Sequence, residues 1–213
     1  MSLGWPRSGS FVISGAPTAE YDAATALLVV DVQNDFADPG GSLFVRGGEE
    51  VVPVIDGEIE RARAGGALVV YTQDWHPEHT PHFRQDGGIW PVHCVGGTWG
   101  AEFHPGLEVV DGAEFVKKGT GGEDGYSAFS MRDPRSGEVG ATVLESILRS
   151  RRIERVVIAG LATDYCVKES AVDATARGFA ATVLTDAVRA VDLQPGDGER
   201  AFDAMRGAGV TLE

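Results

Sequence analysis

The chain has 213 residues, of which 43% are apolar and 23% charged, enough for one α/β domain with a sizeable core. Its formal net charge of −14 argues against nucleic acid or an anionic membrane as partner, since both need clustered Lys and Arg. No run approaches the roughly 20 apolar residues of a membrane span.

The start, Met1 to Ala16, has no basic segment followed by an apolar stretch, so a signal peptide is not expected. Its Gly and Ser content marks residues 1–24 as a leader, loosely packed, ahead of a single domain over 25–213. Five Val-rich, nearly continuous apolar runs predict buried parallel strands: Ala26–Val32, Ala67–Gln73, Glu114–Lys118, Arg155–Ala159 and Ala181–Thr185, with a sixth at Val210–Leu212. Helical patterns fall at Glu49–Ala64, Gly140–Arg151, Cys166–Gly178 and Gly198–Ala208. This alternation predicts a mostly parallel sheet with helices on both faces. The stretch Asp74–Asp111 breaks the rhythm, being long and rich in His, Pro, Trp and Gly, and a loop of that length inside a domain is usually functional. The two cysteines, Cys94 and Cys166, form no disulfide framework, so a reducing cytoplasm is the expected compartment. Oligomeric state stays open, with room for a homo-oligomer.

The first four strand patterns each end in polar residues, at Asp31, at Gln73-Asp74-Trp75-His76, at Lys117-Lys118, and at Gly160-Leu161-Ala162-Thr163-Asp164-Tyr165-Cys166. Ligands of open α/β sheets bind outside the carboxyl ends of the strands, so these segments should converge on one crevice. Thr163-Asp164 resemble helix N-cap residues, which places Cys166 in a first helical turn. Free N–H groups and the positive end of the dipole would there favour its thiolate. Asp31 can take a proton from such a thiol and return it to a departing amine, and Lys118 can hold the developing charge. Lys117 and Lys118 alternate faces, so one of them points into the site.

Four of the five histidines lie between positions 76 and 93. Asp74 and His76, two apart, share a face if the strand extends that far. His82 and His93 could close in from the loop, and spacing alone leaves His79 as a rival to His82. Such a set suits zinc, iron or manganese with positions left open for a ligand. Cys94 reads as a packed thiol and His104 as a turn residue. Asp35 could cap a turn or support a metal ligand.

The segments Asp31-Val-Gln-Asn-Asp-Phe36, Asp74-x-His76, Trp90-Pro-Val-His93-Cys94, Lys118-Gly119 and Gly160-Leu-Ala-Thr-Asp-Tyr-Cys166-Val167 resemble the nicotinamidases, a branch of the isochorismatase-like cysteine hydrolases. The resemblance runs from about Ala26 to Leu212. It implies a three-layer α/β/α sandwich with a six-stranded, mainly parallel sheet, and a catalytic trio of Asp31, Lys118 and Cys166. It also implies an oxyanion hole from the N–H groups of Ala162 and Cys166, with a cis peptide at Leu161–Ala162. One divalent metal, zinc foremost with iron or manganese as alternatives, would sit on Asp74, His76, His82 and His93; His82 is preferred because it precedes Phe83. Phe36, Trp90, Tyr126 and Leu161 would contact the substrate. The implied reaction is hydrolysis of nicotinamide to nicotinate and ammonia through a thioester on Cys166, a step of NAD salvage, with the metal orienting the pyridine ring. Metal-free relatives, acting on other small substrates, resemble the chain around the trio but not in the His-rich loop. A non-catalytic binding module is the remaining alternative, and the intact trio argues against it.

Overall fold

Successive side chains of a strand point to opposite faces, and β1 (Thr25–Val30), buried along its whole length, packs both. The computed structural model describes residues 19–213. Leu27 and Val29 face one core, shared with helix α2 (Gly48–Gly65), which follows the single turn α1 (Asn34–Ala37), through Val51, Val52, Ile55 and Ile59. Ala26, Leu28 and Val30 face the other, shared with α3 (Leu144–Ser150), α4 (Lys168–Ala176) and α5 (Asp197–Gly207) through Leu144, Leu148, Ala171, Ala174, Ala201 and Met205. The result is the expected α/β/α sandwich.

The sheet between these layers also contains β2 (Leu68–Asp74), β3 (Glu114–Lys118), β6 (Arg155–Leu161), β7 (Ala180–Arg189) and β8 (Thr211–Leu212), in the order β3-β2-β1-β6-β7-β8. Every pairing in it is parallel. Strand order reverses between β1 and β6, which opens a crevice beyond their carboxyl ends. There the two chains come so close that a Cβ on Gly160 would lie 2.1 Å from Val30 O, and Gly160 has a φ of 119°.

Two expectations need correction. Gly140–Arg151 is not one helix. Its first residues belong to β5 (Val139–Ala141), which pairs antiparallel with β4 (Ser130–Arg132) in a hairpin outside the main sheet, and α3 begins only at Leu144. Gly140 and the β-branched Thr142 weaken helix there, and Asp133 ties the connecting turn by accepting from the N–H groups of Arg135 and Ser136. The strand expected over Ala181–Thr185 runs on to Arg189, past a register shift against β6. Of the expected leader, residues 1–18 lie outside the described residues. Residues 19–24 are tied to the body: Ala19 is buried, its carbonyl accepts from Arg61 Nη2, and Tyr21 donates to Glu58.

Candidate active site

Asp31 directly follows β1 and bends the chain with a φ of 49°, a left-handed conformation that Asp tolerates better than most residues. Its carboxylate is fully buried, accepts from Thr72 Oγ1 at 2.5 Å, and meets Lys118 Nζ at 2.6 Å. Lys118, the last residue of β3, is equally buried. It reaches Asp74 Oδ1 at 2.8 Å and donates to Gly125 O. Lys117 points the other way, 3.2 Å from the centre of the Trp75 ring. A thiol or carboxylate atom from each of Asp31, Asp74 and Cys166 lies within 4.8 Å of the others, so three distant segments do meet at one rim of the sheet.

The approach to Cys166 differs from the expected helix start. Thr163–Val167 form a π turn, in which Val167 N–H donates to Ala162 O at 3.1 Å, and α4 begins only at Lys168. Such wide turns recur at functional sites. Asp164 is not a cap. Its two oxygens accept from the N–H groups of Val191 and Asp192, fastening the turn to the segment after β7. The Leu161–Ala162 peptide is cis, as the resemblance implies.

Burial sets the charge states. It pushes the Cys166 thiol well above its usual range; Lys118 opposes that shift, and the carboxylates of Asp31 and Asp74 add to it. The helix-terminus effect expected from sequence is therefore outweighed, and the resting sulfur keeps its proton. Burial also lifts Asp31 to about 6, against the pull of Lys118. It would depress Lys118, but the two carboxylates outweigh it and hold the ammonium well above its usual range. For Asp74, burial acts upward, yet Lys118 and the imidazoles of His76 and His93 keep the carboxyl well below the usual range. The trio is thus an acid able to exchange a proton near neutrality, a fixed cation, and a protonated thiol.

Beside it, His76, His82 and His93 each place a ring nitrogen within 4.8 Å of the other two, all buried. Asp74 Oδ2 faces His76 Nε2 at 3.8 Å and His93 Nε2 at 4.0 Å. Pro91 O accepts from His93 Nδ1 at 2.8 Å, so Nε2 keeps the free lone pair. Burial lowers His93 to about 4, leaving the neutral ring a metal needs. Neither ring nitrogen of His76 has a hydrogen-bond partner among the described residues, a costly state for a buried imidazole. A divalent cation bound to His76 Nε2, on the side that Asp74 faces, would satisfy one of the two, so the residues fit a metal. His79 stands apart, 73% exposed at its side chain and paired with Asp86 at 3.2 Å, which leaves His82 in the cluster. Gly119 lets the turn after Lys118 pack against His76: its φ is 70°, and a Cβ there would lie 2.5 Å from His76 Cε1.

The loop bearing the histidines is pinned by polar side chains. Gln33 exchanges two hydrogen bonds with the Asp74 backbone, both 2.8 Å. Asp35 accepts from Ser42 N–H at 2.9 Å and Cys94 N–H at 2.7 Å, so it both ties a turn and braces the residue after His93. Cys94 is a buried thiol, and His104 accepts from Gly106 N–H within a turn.

One pocket of about 350 Å³, open to solvent, reaches Cys166 of the trio and two of the three histidines. Phe36, Trp90 and Tyr126 line it as expected, with Asp74, His82, His93, Ala162 and Cys166. Trp90 Nε1 donates to Tyr126 Oη at 2.7 Å. Leu161 is a correction: it does not line the pocket, because its side chain is fully buried in the core that α2 covers. Sequence reasoning missed Leu43, Tyr165 and Val191 in the wall. Tyr165 adjoins Cys166 and crosses the Trp90 ring at 4.8 Å, edge to face.

A wound parallel sheet with an acid, an amine and a thiol buried at its switch point places the chain among α/β proteins that carry their site in the crevice at the strands' carboxyl ends. Within that class, the chain belongs to the isochorismatase domain family, whose profile matches residues 25–212. It is 38% identical over 203 residues to a nicotinamidase of Escherichia coli, covering 88% of this chain and 93% of that one. Among solved structures it is similar to a pyrazinamidase of Pyrococcus horikoshii in complex with zinc, at 40% identity and a TM-score of 0.79, covering 89% of this chain and 98% of the other. It is also similar to PnC1 from L. infantum in complex with nicotinate, at 35% identity and a TM-score of 0.82, covering 92% and 95%. Among the described residues, no helix is long and apolar enough to cross a membrane.

Proposed function

We propose that the chain hydrolyses nicotinamide to nicotinate and ammonia, with Cys166 as nucleophile, Asp31 as proton carrier and Lys118 as the fixed cation beside them. The observation that carries this reading is a pocket lined at once by Cys166, Asp74, His82 and His93, with Asp31 beside the sulfur and His76 beside the other two histidines, in a chain similar to a nicotinamidase over nearly its whole length. Asp74, His76, His82 and His93 would hold one divalent ion, zinc foremost, which when bound supplies a Lewis-acidic point for the pyridine nitrogen.

The residues supply the remaining steps. Asp31 takes the thiol proton, and the sulfur attacks the carboxamide carbon. The N–H groups of Ala162 and Cys166 receive the oxyanion, a stabilisation worth about 3 kcal/mol per donor. Asp31 then gives its proton to the departing nitrogen as the C–N bond breaks, leaving a thioester and ammonia. Water adds to the thioester, again losing a proton to Asp31; the C–S bond breaks, the sulfur takes that proton back from Asp31, and the product acid leaves as nicotinate with its own proton lost to solvent. Lys118 keeps the site's charge balanced while the proton moves. Phe36, Trp90 and Tyr126 wall a slot suited to a flat ring.

The test is ammonia release from nicotinamide by pure, metal-loaded protein beside Cys166→Ala. Turnover by the wild type and at least a 10⁴-fold loss, roughly, in the variant is expected. No turnover of nicotinamide alongside turnover of another small amide would refute the substrate.

A further inference from the structure

His82 differs from its two neighbours in what holds its second nitrogen. His93 uses a backbone carbonyl and His76 has no partner. His82 Nδ1 lies 2.5 Å from Asp124 Oδ1, a carboxylate 42 residues away. Asp124 is itself fixed by the hairpin: its N–H donates to Arg132 O at 2.7 Å, and its O accepts from Arg132 N–H at 3.2 Å. The residue before it in β4, Met131, accepts through Sδ from Gly119 N–H at 3.4 Å, which ties the hairpin to the turn after Lys118. A carboxylate only accepts, so the shared proton belongs to Nδ1 and the free lone pair of the ring to Nε2. Carboxylate partners of this kind orient metal-binding histidines and raise their basicity.

We propose that Asp124 is a positioning residue for the metal-binding cluster: it holds His82 as the Nδ1–H tautomer, leaving Nε2 to bind a divalent cation, and β4 holds Asp124 in place. This rests on the metal-binding part of the function proposed above. The hairpin is therefore a brace for the cluster, although it belongs to neither the main sheet nor the pocket wall.

Zinc affinity of metal-stripped protein, measured by competition with a chromophoric chelator, tests this. Asp124→Ala should bind zinc about 10- to 100-fold more weakly than wild type, and Asp124→Asn, which keeps a carbonyl acceptor, should recover part of the loss. In a His82→Ala background, Asp124→Ala should cost no more. Wild-type affinity in Asp124→Ala, or an undiminished loss in the His82→Ala background, overturns the inference. A second measurement needs no variant: ¹⁵N NMR of the imidazoles in metal-free wild type should find His82 protonated on Nδ1, and protonation on Nε2 alone overturns it. Nicotinamide turnover enters neither measurement, so a wrong substrate leaves both readable. A wild type that binds no divalent ion overturns the metal reading and this inference together, whereas normal wild-type binding with an unaffected Asp124→Ala overturns this inference alone.

Discussion

The two walls of the site are held by different means. Asp31 and Lys118 sit at the ends of β1 and β3, where the sheet holds them, and Cys166 follows β6 by five residues in a π turn that Asp164 fastens to the segment after β7. The histidines sit on a loop between β2 and β3 with only short turns of its own, and single side chains pin it: Gln33 at Asp74, Asp35 at Cys94, Thr80 at Gly122. Reacting groups need placement within a fraction of an ångström, and the sheet gives that. A binding wall can be built from a loop and varied without disturbing the chemistry, which is how one fold carries several substrates. Asp74 is the exception. One oxygen pairs with Lys118 and the other faces two histidines, so it belongs to both walls.

This contrast predicts a split in kinetic effects. After the loss of Cys166 itself, the largest is Asp31→Asn, which leaves nothing to carry the proton and should lower kcat by about 10³-fold with little change in KM; steady-state kinetics checks this, and an equal rise in KM would blur the two walls. Lys118→Ala should be the largest effect on folding. It strands Asp31 and Asp74 without their ammonium, and urea denaturation should find stability lower by about 3–5 kcal/mol. His93→Ala acts on the other wall and should raise KM about tenfold or more while changing kcat less, an effect that chelator treatment of the wild type should reproduce. Asp74→Ala should move both constants, and a change in KM alone would mean its bond to Lys118 matters little. The smallest is Tyr126→Phe. It removes one hydrogen bond, to Trp90 Nε1, worth about 1 kcal/mol, and should cost only a few-fold in KM.

The sheet was legible because buried parallel strands are continuous apolar runs, and the trio because its members stand where those runs stop. The hairpin was not. Each of its strands has three residues, too short for a period to register, although Asp133-Pro134-Arg135-Ser136-Gly137 is a turn signal that could have found it. Tyr165 is not legible because the π turn that faces it into the pocket depends on backbone bonds that no side-chain pattern announces. Leu161 was misplaced for a related reason: neighbours along a strand end point to opposite faces, so nearness to Ala162 does not bring a side chain into the pocket. The Cys166 proton was misjudged because burial depends on the whole fold, whereas the helix-terminus argument considers only the local chain.

The account rests on sulfur chemistry at Cys166, and peptide mapping by mass spectrometry of protein acid-quenched during turnover of nicotinamide addresses it most directly. A nicotinoyl group on the Cys166 peptide of the wild type, with neither adduct nor turnover in Cys166→Ala, is the predicted result. Turnover by Cys166→Ala near the wild-type rate, or a nicotinoyl group on a different side chain, would contradict it.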